Sequence, residues 1–256
     1  MRTYRISPSL LNSFSDWLNA DELYDKFWGN SASPSVSFED FEKKQLGELL
    51  DYINHEPQEP NEAADRGTSL NEIVDCLIGA TPNPLTCTWE KREGLYVANR
   101  NCFEFIFDGN LVEDLARMFR TALPQYHLAA KYMVSDYMVE LHGYADYILP
   151  TQIYDLKTTG RYEGEKYAGN WQRHVYPLIA VDGMSMTRCD AFRFLAVECK
   201  QGRDGVIGGK VWTETYDFNI DESRAKVMSF IRYQVVPQLD IWELKGLIKN
   251  QTIITE

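Results

Sequence analysis

Two β-rich segments joined by a proline-containing turn constrain the fold of this chain more than any other feature. Residues 138–149 and 152–158 are dominated by β-branched and aromatic residues, and Pro150-Thr151 separates them. Such runs are typical of strands, and a proline between two of them is typical of a turn. The sequence therefore predicts a β-hairpin over these residues.

Helical and strand patterns follow one another along the rest of the chain. Apolar residues recur at helical spacing in some segments, whereas short aromatic or β-branched runs mark strands. This order predicts an α/β (mixed α+β) fold, with a central mixed β-sheet flanked by helices and a helical N-terminal addition. The predicted helices span residues 7–18, 38–54, 69–78, 111–123, 165–181 and 221–238, with strands within 86–107, 131–158, 191–198 and 210–218 and a linker at 55–61.

The predicted hairpin carries two carboxylates and a lysine at the spacing of a metal-dependent nuclease. Side chains alternate between sheet faces, so Asp155 and Lys157 share one face while Leu156 points to the core. Asp146 on the preceding strand can reach the same face. Two carboxylates and a backbone carbonyl supply the oxygen ligands that a hard divalent cation prefers, and such a cation activates water and polarises a phosphate. Lys157 is suited to stabilise charge in the transition state.

A simpler alternative is that Asp155 and Lys157 form only a solvated ion pair on an acidic α/β scaffold. An Asp and a Lys two residues apart on a strand often do no more than this. The alternative predicts no binding of a divalent metal, whereas the nuclease hypothesis predicts it.

Several separated blocks resemble the PD-(D/E)XK nuclease superfamily, in particular its RecB-like and lambda-exonuclease-like branches. That family has a glycine three residues before the first metal-binding Asp, here Gly143 before Asp146. A strand ending in D-x-K-T follows, here residues 155–158. RecB-like members carry Q-x-x-x-Y on the next helix, here Gln172 and Tyr176, and this spacing places both on one helical face.

An upstream block matches the family with one departure. The family has a helix with G-x-x-x-H or G-x-x-x-E, and here the block begins at Gly67, so that Asn71 takes the ligand position. A neutral amide oxygen binds a hard cation less strongly than a carboxylate does. Glu72 is adjacent, but neighbours on a helix are turned by roughly 100°, so it needs a shifted register. The family's N-terminal S-x-S-x-L helix matches from Ser7, which is placed to cap it.

The resemblance, which covers blocks from about residue 6 to residue 198, implies a restriction-endonuclease-like core and a function. The implied activity is a Mg²⁺- or Mn²⁺-dependent DNA nuclease, an exonuclease acting in recombination, repair, or a phage or mobile-element pathway. A recombination or annealing partner protein and a homo-oligomer are compatible with it. The implied roles are metal binding by Asp146, Asp155 and the Leu156 carbonyl, catalysis by Lys157, metal support by Asn71 or Glu72, and lysine positioning or DNA contact by Gln172 and Tyr176.

A second hypothesis is a catalytically weakened member of the same fold that binds nucleic acid or a protein partner. Asn71 in the ligand position and the net charge of −12 favour this hypothesis. The complete set of Asp146, Asp155 and Lys157 favours the enzyme.

Composition bounds the remaining possibilities. At 256 residues the chain suits one domain, with a helical part at 1–66, a nuclease core at 67–238 and a tail at 239–256. The five cysteines include no C-x-x-C pair, so no iron–sulfur cluster is expected. An odd cysteine count and the lack of an export signal predict a cytoplasmic protein, and no stretch approaches the ~18 apolar residues of a membrane span.

The excess of acidic residues argues against avid non-specific binding to nucleic acid, because phosphate neutralisation needs a basic surface. A local exception is the segment 161–173, which interleaves basic residues with Tyr162, Tyr167 and Trp171. These aromatic side chains suit stacking on unpaired bases. The alternative is that they pack the following helix onto the sheet.

Overall fold

The computed structural model describes residues 1–29, 31–184 and 186–255, and its N-terminal part is mostly helical. The predicted cap of the first helix is confirmed, because the Ser7 side chain accepts the Leu10 N–H at 3.2 Å and Pro8 begins the helix. The elements of this part are β1 (Thr3–Ile6), α1 (Pro8–Leu18), α2 (Ala20–Trp28), α3 (Phe38–Ile53) and α4 (Glu62–Leu77).

Two of these helices differ from the sequence prediction. α2 was not predicted at all. α4 begins at Glu62 rather than at residue 69, because Asn61 accepts the Ala64 N–H at 3.1 Å and starts the helix directly after the proline-containing segment. The predicted linker therefore ends at a helix cap.

The middle of the chain contains the predicted hairpin, which is confirmed. Its two strands pair from Tyr147 with Tyr154 to Leu149 with Gln152. The elements here are β2 (Thr88–Arg92), β3 (Leu95–Arg100), β4 (Phe103–Asp108), α5 (Gly109–Phe119), β5 (Leu123–Val134), β6 (Tyr137–Leu149) and β7 (Gln152–Thr159).

In the C-terminal part, one helix starts later and another ends later than the sequence predicts. Residues 160–171 form a loop, so the helix expected from residue 165 starts at Gln172. The last helix continues beyond residue 238 to Leu244 through a π-helical turn, Ile231–Val235. The elements are α6 (Gln172–Gly183), β8 (Ala191–Gln201), β9 (Val206–Asp217), α7 (Ile220–Phe230), α8 (Val236–Leu244) and β10 (Ile254–Thr255).

The described strands form one mixed sheet of ten strands. Its order is β10-β1-β6-β7-β8-β9-β4-β3-β2, with β5 paired to β6 outside this path. Within the segment 239–256, expected as a tail, residues 254–255 add the edge strand β10 to this sheet and Trp242 is buried in the core. The predicted mixed α/β architecture, with a central mixed sheet flanked by helices, is thus confirmed. Among the described helices, none is long and apolar enough to cross a membrane.

Two hydrophobic cores lie on opposite faces of the sheet. One joins the sheet to α1, α6, α7 and α8 and contains Phe192 and Phe194 of β8. The other joins it to α4 and α5 and contains Leu156 of β7 and Leu195 of β8. Successive residues of β7 therefore face different cores, as the predicted alternation requires.

Candidate active site

The site is built around a gap between β6 and β7. β5 pairs with one edge of β6, while the other edge pairs with β1 at residues 138–141 and with β7 only at residues 147–149. Between these stretches that edge has no strand partner among the described residues. Asp146 extends into the gap, where its Oδ2 accepts the backbone N–H of Leu156 at 2.8 Å. The N–H and C=O of one strand residue point to the same side, so the Leu156 carbonyl also faces the gap.

Asp155 and Lys157 meet on the α6 side of β7. Asp155 is only 2% exposed, its Oδ1 accepts Nε2 of Gln172 at 2.6 Å, and its Oδ2 lies 2.7 Å from Nζ of Lys157. The Lys157 ammonium is therefore the charged partner of Oδ2. Burial lowers the pKa of Lys157, but the carboxylates of Asp155 and Asp146 outweigh burial and raise it. The amine is therefore protonated at neutral pH.

The carboxylates of the gap repel one another. Burial and the charge of Asp155 raise the pKa of Asp146 to about 7, against the opposing effects of Lys157 and the Leu156 N–H. One lysine thus does not neutralise the negative charge of this site. A bound cation would relieve the repulsion.

α4 runs past the gap on the opposite face of the sheet. Gly67 permits close approach, because a Cβ there would lie 2.8 Å from Oγ1 of Thr158. One turn later, Asn71 donates Nδ2 to Oδ2 of Asp146 at 3.5 Å and accepts the Tyr147 hydroxyl at 3.4 Å, both long for hydrogen bonds. The structure therefore places Asn71 beside Asp146.

Glu72 points away from Asp146, although it lines the same cavity. Its Oε1 accepts the backbone N–H of Asn83 at 2.7 Å and lies 3.6 Å from Sγ of Cys76. Because it holds the chain after α4, Glu72 does not take the place of Asn71.

Asp75 is the site residue that sequence reasoning missed. It lies one helical turn beyond Asn71, is 4% exposed, and its Oδ1 has no hydrogen-bond partner in the described part of the chain. Burial raises the pKa of Asp75 to about 7, and the Tyr147 hydroxyl and the Gln125 amide offset this only in part. The spacing of four from Gly67 to Asn71, continued once more, would have found it.

Gln172 and Tyr176 separate into two roles. Gln172 contacts Asp155 directly. Tyr176 packs behind β6, where a Cβ on Gly143 would lie 2.8 Å from its Cε1 and 3.1 Å from its hydroxyl. The glycine three residues before Asp146 is therefore required by the packing of this ring.

These side chains open onto a cavity of about 820 Å³, which is large enough for a ligand of nucleotide size. Polar side chains surround the gap within it, six of them besides Gln172 being central to the site. They are Asn71, Asp75, Gln125, Asp146, Asp155 and Lys157.

The donors at the gap fit a hard cation. Within residues 1–29, 31–184 and 186–255, no group of three or more His, Cys, Asp and Glu side chains is arranged around a metal position. The available donors are instead two carboxylates, Asp146 and Asp155, and the carbonyl of Leu156. The repulsion between these two carboxylates, which Lys157 offsets only in part, is the observation that favours a cation there. Oxygen donors of this kind suit Mg²⁺ or Mn²⁺, with water completing the shell.

The described cysteines are free thiols, and most of them are buried. The expectation that the protein has no iron–sulfur cluster stays a prediction.

Comparisons with known proteins identify no family for this chain. No protein-family model and no curated protein matches it. A solved structure described as "Crystal structure of SSO0001" is 11% identical over 96% of this chain and 83% of that chain, with a TM-score of 0.36. Similarity at this level carries no argument about fold or function. The resemblance to PD-(D/E)XK nucleases stays a prediction from the sequence motifs.

Proposed function

We propose that this protein is a divalent-metal-dependent DNA nuclease that hydrolyses phosphodiester bonds at the gap between β6 and β7. The observation that carries the proposal is the meeting of Asp146, Asp155 and Lys157 beside the unpaired edge of β6. The Leu156 carbonyl faces the same space. This arrangement supplies oxygen donors for a cation and a fixed positive charge for a phosphate.

Each group at the gap has a distinct role. Asp146, Asp155 and the Leu156 carbonyl would hold Mg²⁺ or Mn²⁺, which when bound polarises the phosphate and lowers the pKa of a coordinated water. Gln172 fixes the orientation of Asp155 through its hydrogen bond of 2.6 Å. Lys157, kept protonated by its neighbours, stabilises negative charge that develops on the phosphate oxygens.

DNA as the substrate, and cleavage from its ends, follow from the sequence resemblance. The same resemblance supports a role in recombination, repair, or a phage or mobile-element pathway, with a partner protein or a homo-oligomer. The net charge of −12 means that affinity for DNA has to come from the site and its surroundings rather than from a generally basic surface.

The test is cleavage of end-labelled linear double-stranded, linear single-stranded and circular DNA with Mg²⁺ or Mn²⁺. Lys157→Ala is compared with wild type, and the exposed Lys43→Ala serves as the matched control. We expect metal-dependent digestion of linear DNA that a chelator stops, that Lys157→Ala loses and that Lys43→Ala retains. Cleavage that persists at the wild-type rate in Lys157→Ala would refute the assigned site.

One observation favours a second candidate, a weakened nuclease that binds nucleic acid. Asn71 offers an amide beside Asp146, and Glu72 is bonded to the Asn83 N–H instead of replacing it. Folded wild-type protein that retains labelled DNA in a binding assay, yet cleaves none of the three substrates with either metal, would support this candidate over the enzyme.

A further inference from the structure

An aromatic pair with one half-buried and one exposed member lies near the gap. The ring of Tyr162, in the loop at residues 160–171, stacks on the indole of Trp212 in β9, with centroids 5.2 Å apart and planes at 13°. Trp212 is 42% exposed. Because Tyr162 covers one face of the indole, the exposed area belongs to its edges and its opposite face. An aromatic surface is thus available to a ligand.

The other aromatic residues of segment 161–173 are packed internally. Tyr167 lies against Phe194 of the sheet, and Trp171 stacks on Phe230 with centroids 4.5 Å apart. Tyr167 thus packs against the sheet, as the alternative holds, whereas Trp171 packs against α7 rather than the sheet. Tyr162 differs, because its partner is a surface side chain.

The strand register places Trp212 in one row with Lys157. Lys157 pairs with Ala196 of β8, and Ala196 pairs with Trp212 of β9. Directly paired residues project from the same face, and neighbouring strands are ~4.8 Å apart, so Trp212 lies about 10 Å from Lys157 along the sheet. Only the methyl group of Ala196 stands between them in this row.

The loop that carries Tyr162 is held in place by a buried carboxylate. Glu214, which is 7% exposed, accepts the backbone N–H groups of Lys166 at 3.0 Å and Tyr167 at 3.2 Å. Nζ of Lys166 donates to Oγ1 of Thr159 at 2.6 Å, which ties the loop to the end of β7. The aromatic pair is therefore organised before any ligand binds.

We propose that Tyr162 and Trp212 form a stacking site for an unpaired base of the DNA strand that enters the β6–β7 gap. The inference rests on the proposed nuclease function and assigns its substrate class, namely single-stranded DNA or frayed ends. At ~3.4 Å per nucleotide of a stacked strand, ~10 Å corresponds to about three nucleotides between the bound base and the phosphate at Lys157.

Charge also favours an unpaired strand as the occupant. Exposed Arg161 and Lys210 border the aromatic pair, but Arg161 is paired with Glu163 at 3.3 Å and the whole chain carries a charge of −12. Phosphate contacts alone therefore give little affinity. Stacking on an aromatic ring tolerates any base and does not depend on salt through counterion release. It requires a base whose face is free, which paired bases inside a duplex do not offer.

The test measures fluorescence anisotropy of labelled oligo-dT and of a labelled blunt hairpin duplex, in chelator and without metal. Trp212→Leu removes the ring system but keeps apolar volume. Val211→Ala is the matched control, because Val211 is 43% exposed on the opposite face of the same strand. We expect Trp212→Leu to weaken oligo-dT binding roughly 5- to 160-fold, the range for stacking of one base, and to leave duplex binding and the Val211→Ala affinities unchanged.

Several outcomes would overturn the inference. They are wild-type affinity of Trp212→Leu for oligo-dT, equal losses for oligo-dT and duplex, or no binding of oligo-dT by wild type. If Trp212→Leu does not fold, Tyr162→Leu is measured in its place. It should also lose affinity for oligo-dT while its affinity for the duplex is unchanged. Binding is measured without metal, so the two proposals can fail separately. Loss of oligo-dT affinity alone, in a protein whose wild type cleaves no DNA, would support the stacking site and refute the nuclease. Cleavage by wild type without any selective loss of oligo-dT affinity in the variant would support the nuclease and refute the stacking site.

Discussion

Replacing Asp75 with asparagine should stabilise the metal-free protein at alkaline pH. Asp75 is 4% exposed in α4, and its Oδ1 has no hydrogen-bond partner in the described residues. Burial raises the pKa of this carboxyl from its ordinary 3.8 to about 7. The isosteric amide fills the same space without a charge to desolvate.

The sign and size of the effect follow from proton linkage. The folded state binds the Asp75 proton more tightly than the unfolded chain does, so this group destabilises the fold progressively as the pH rises from about 4 to about 7. A pKa difference of about 3 corresponds to about 4 kcal/mol above that range, since each pKa unit is worth about 1.36 kcal/mol. Near pH 4.5 the penalty shrinks to about 1 kcal/mol.

The assay is urea-induced unfolding in chelator at about pH 8.5 and about pH 4.5. Wild type and Asp75→Asn are compared with Asp51→Asn, which removes an exposed carboxylate from α3. We expect Asp75→Asn to raise the free energy of unfolding by up to about 4 kcal/mol at the higher pH and by about 1 kcal/mol at the lower pH. An equal free energy of unfolding for Asp75→Asn and wild type at about pH 8.5, or a gain that is the same at both pH values, would show that burial of the Asp75 charge does not destabilise the fold.

Three further substitutions test the packing and hydrogen bonding of the site. Gly143→Ala should lower the free energy of unfolding by about 1–3 kcal/mol, because its Cβ would lie 2.8 Å from the Tyr176 ring, and an unchanged urea midpoint would contradict this. Gly67→Ala should cost less in the same measurement, because its Cβ would meet a side-chain hydroxyl that can rotate. Gln172→Ala should cost about 1–3 kcal/mol and slow metal-dependent cleavage, since it leaves Asp155 Oδ1 buried without its donor. A wild-type cleavage rate in Gln172→Ala would refute the role of Gln172 in orienting Asp155.

The hairpin and the faces of its side chains were predictable because they depend on local pattern. Alternation alone places Asp155 and Lys157 together and Leu156 in the opposite core, as the structure has them. The start of α1 was predictable for the same reason, since Ser7 and Pro8 are a local cap signal.

Features that depend on contacts distant in the sequence were not predictable. Trp212 lies in a row with Lys157 only because β8 and β9 pair in one particular register. Asp75 reaches the site because α4 packs across the gap. An aspartate within a helical segment does not by itself indicate that it will be buried at a site. α6 starts at Gln172 rather than at the predicted residue 165, and Glu214, far along the chain, holds the loop that precedes it.

The gap itself was invisible in the sequence. Continued pairing of β6 and β7 would set Asp146 opposite Asp155, but their pairing ends at Tyr147. The Asp146 side chain then takes the Leu156 N–H that a ladder partner would otherwise bind. A local motif therefore predicts which residues matter, and the divergence of two strands determines how they meet.

The initial rate of DNA cleavage as a function of Mn²⁺ concentration, compared for wild type and Lys157→Ala, separates the role of the lysine from that of the two carboxylates. If Lys157 acts on the phosphate while Asp146 and Asp155 hold the cation, the plateau rate should fall roughly 10²- to 10³-fold in the variant. The half-saturating Mn²⁺ concentration should not rise. The substitution removes a positive charge 2.7 Å from Oδ2 of Asp155, and such a charge opposes binding of a cation by that carboxylate. Cleavage by wild type without metal would refute the metal-dependent site, and equal plateau rates for the two proteins would refute the role of Lys157.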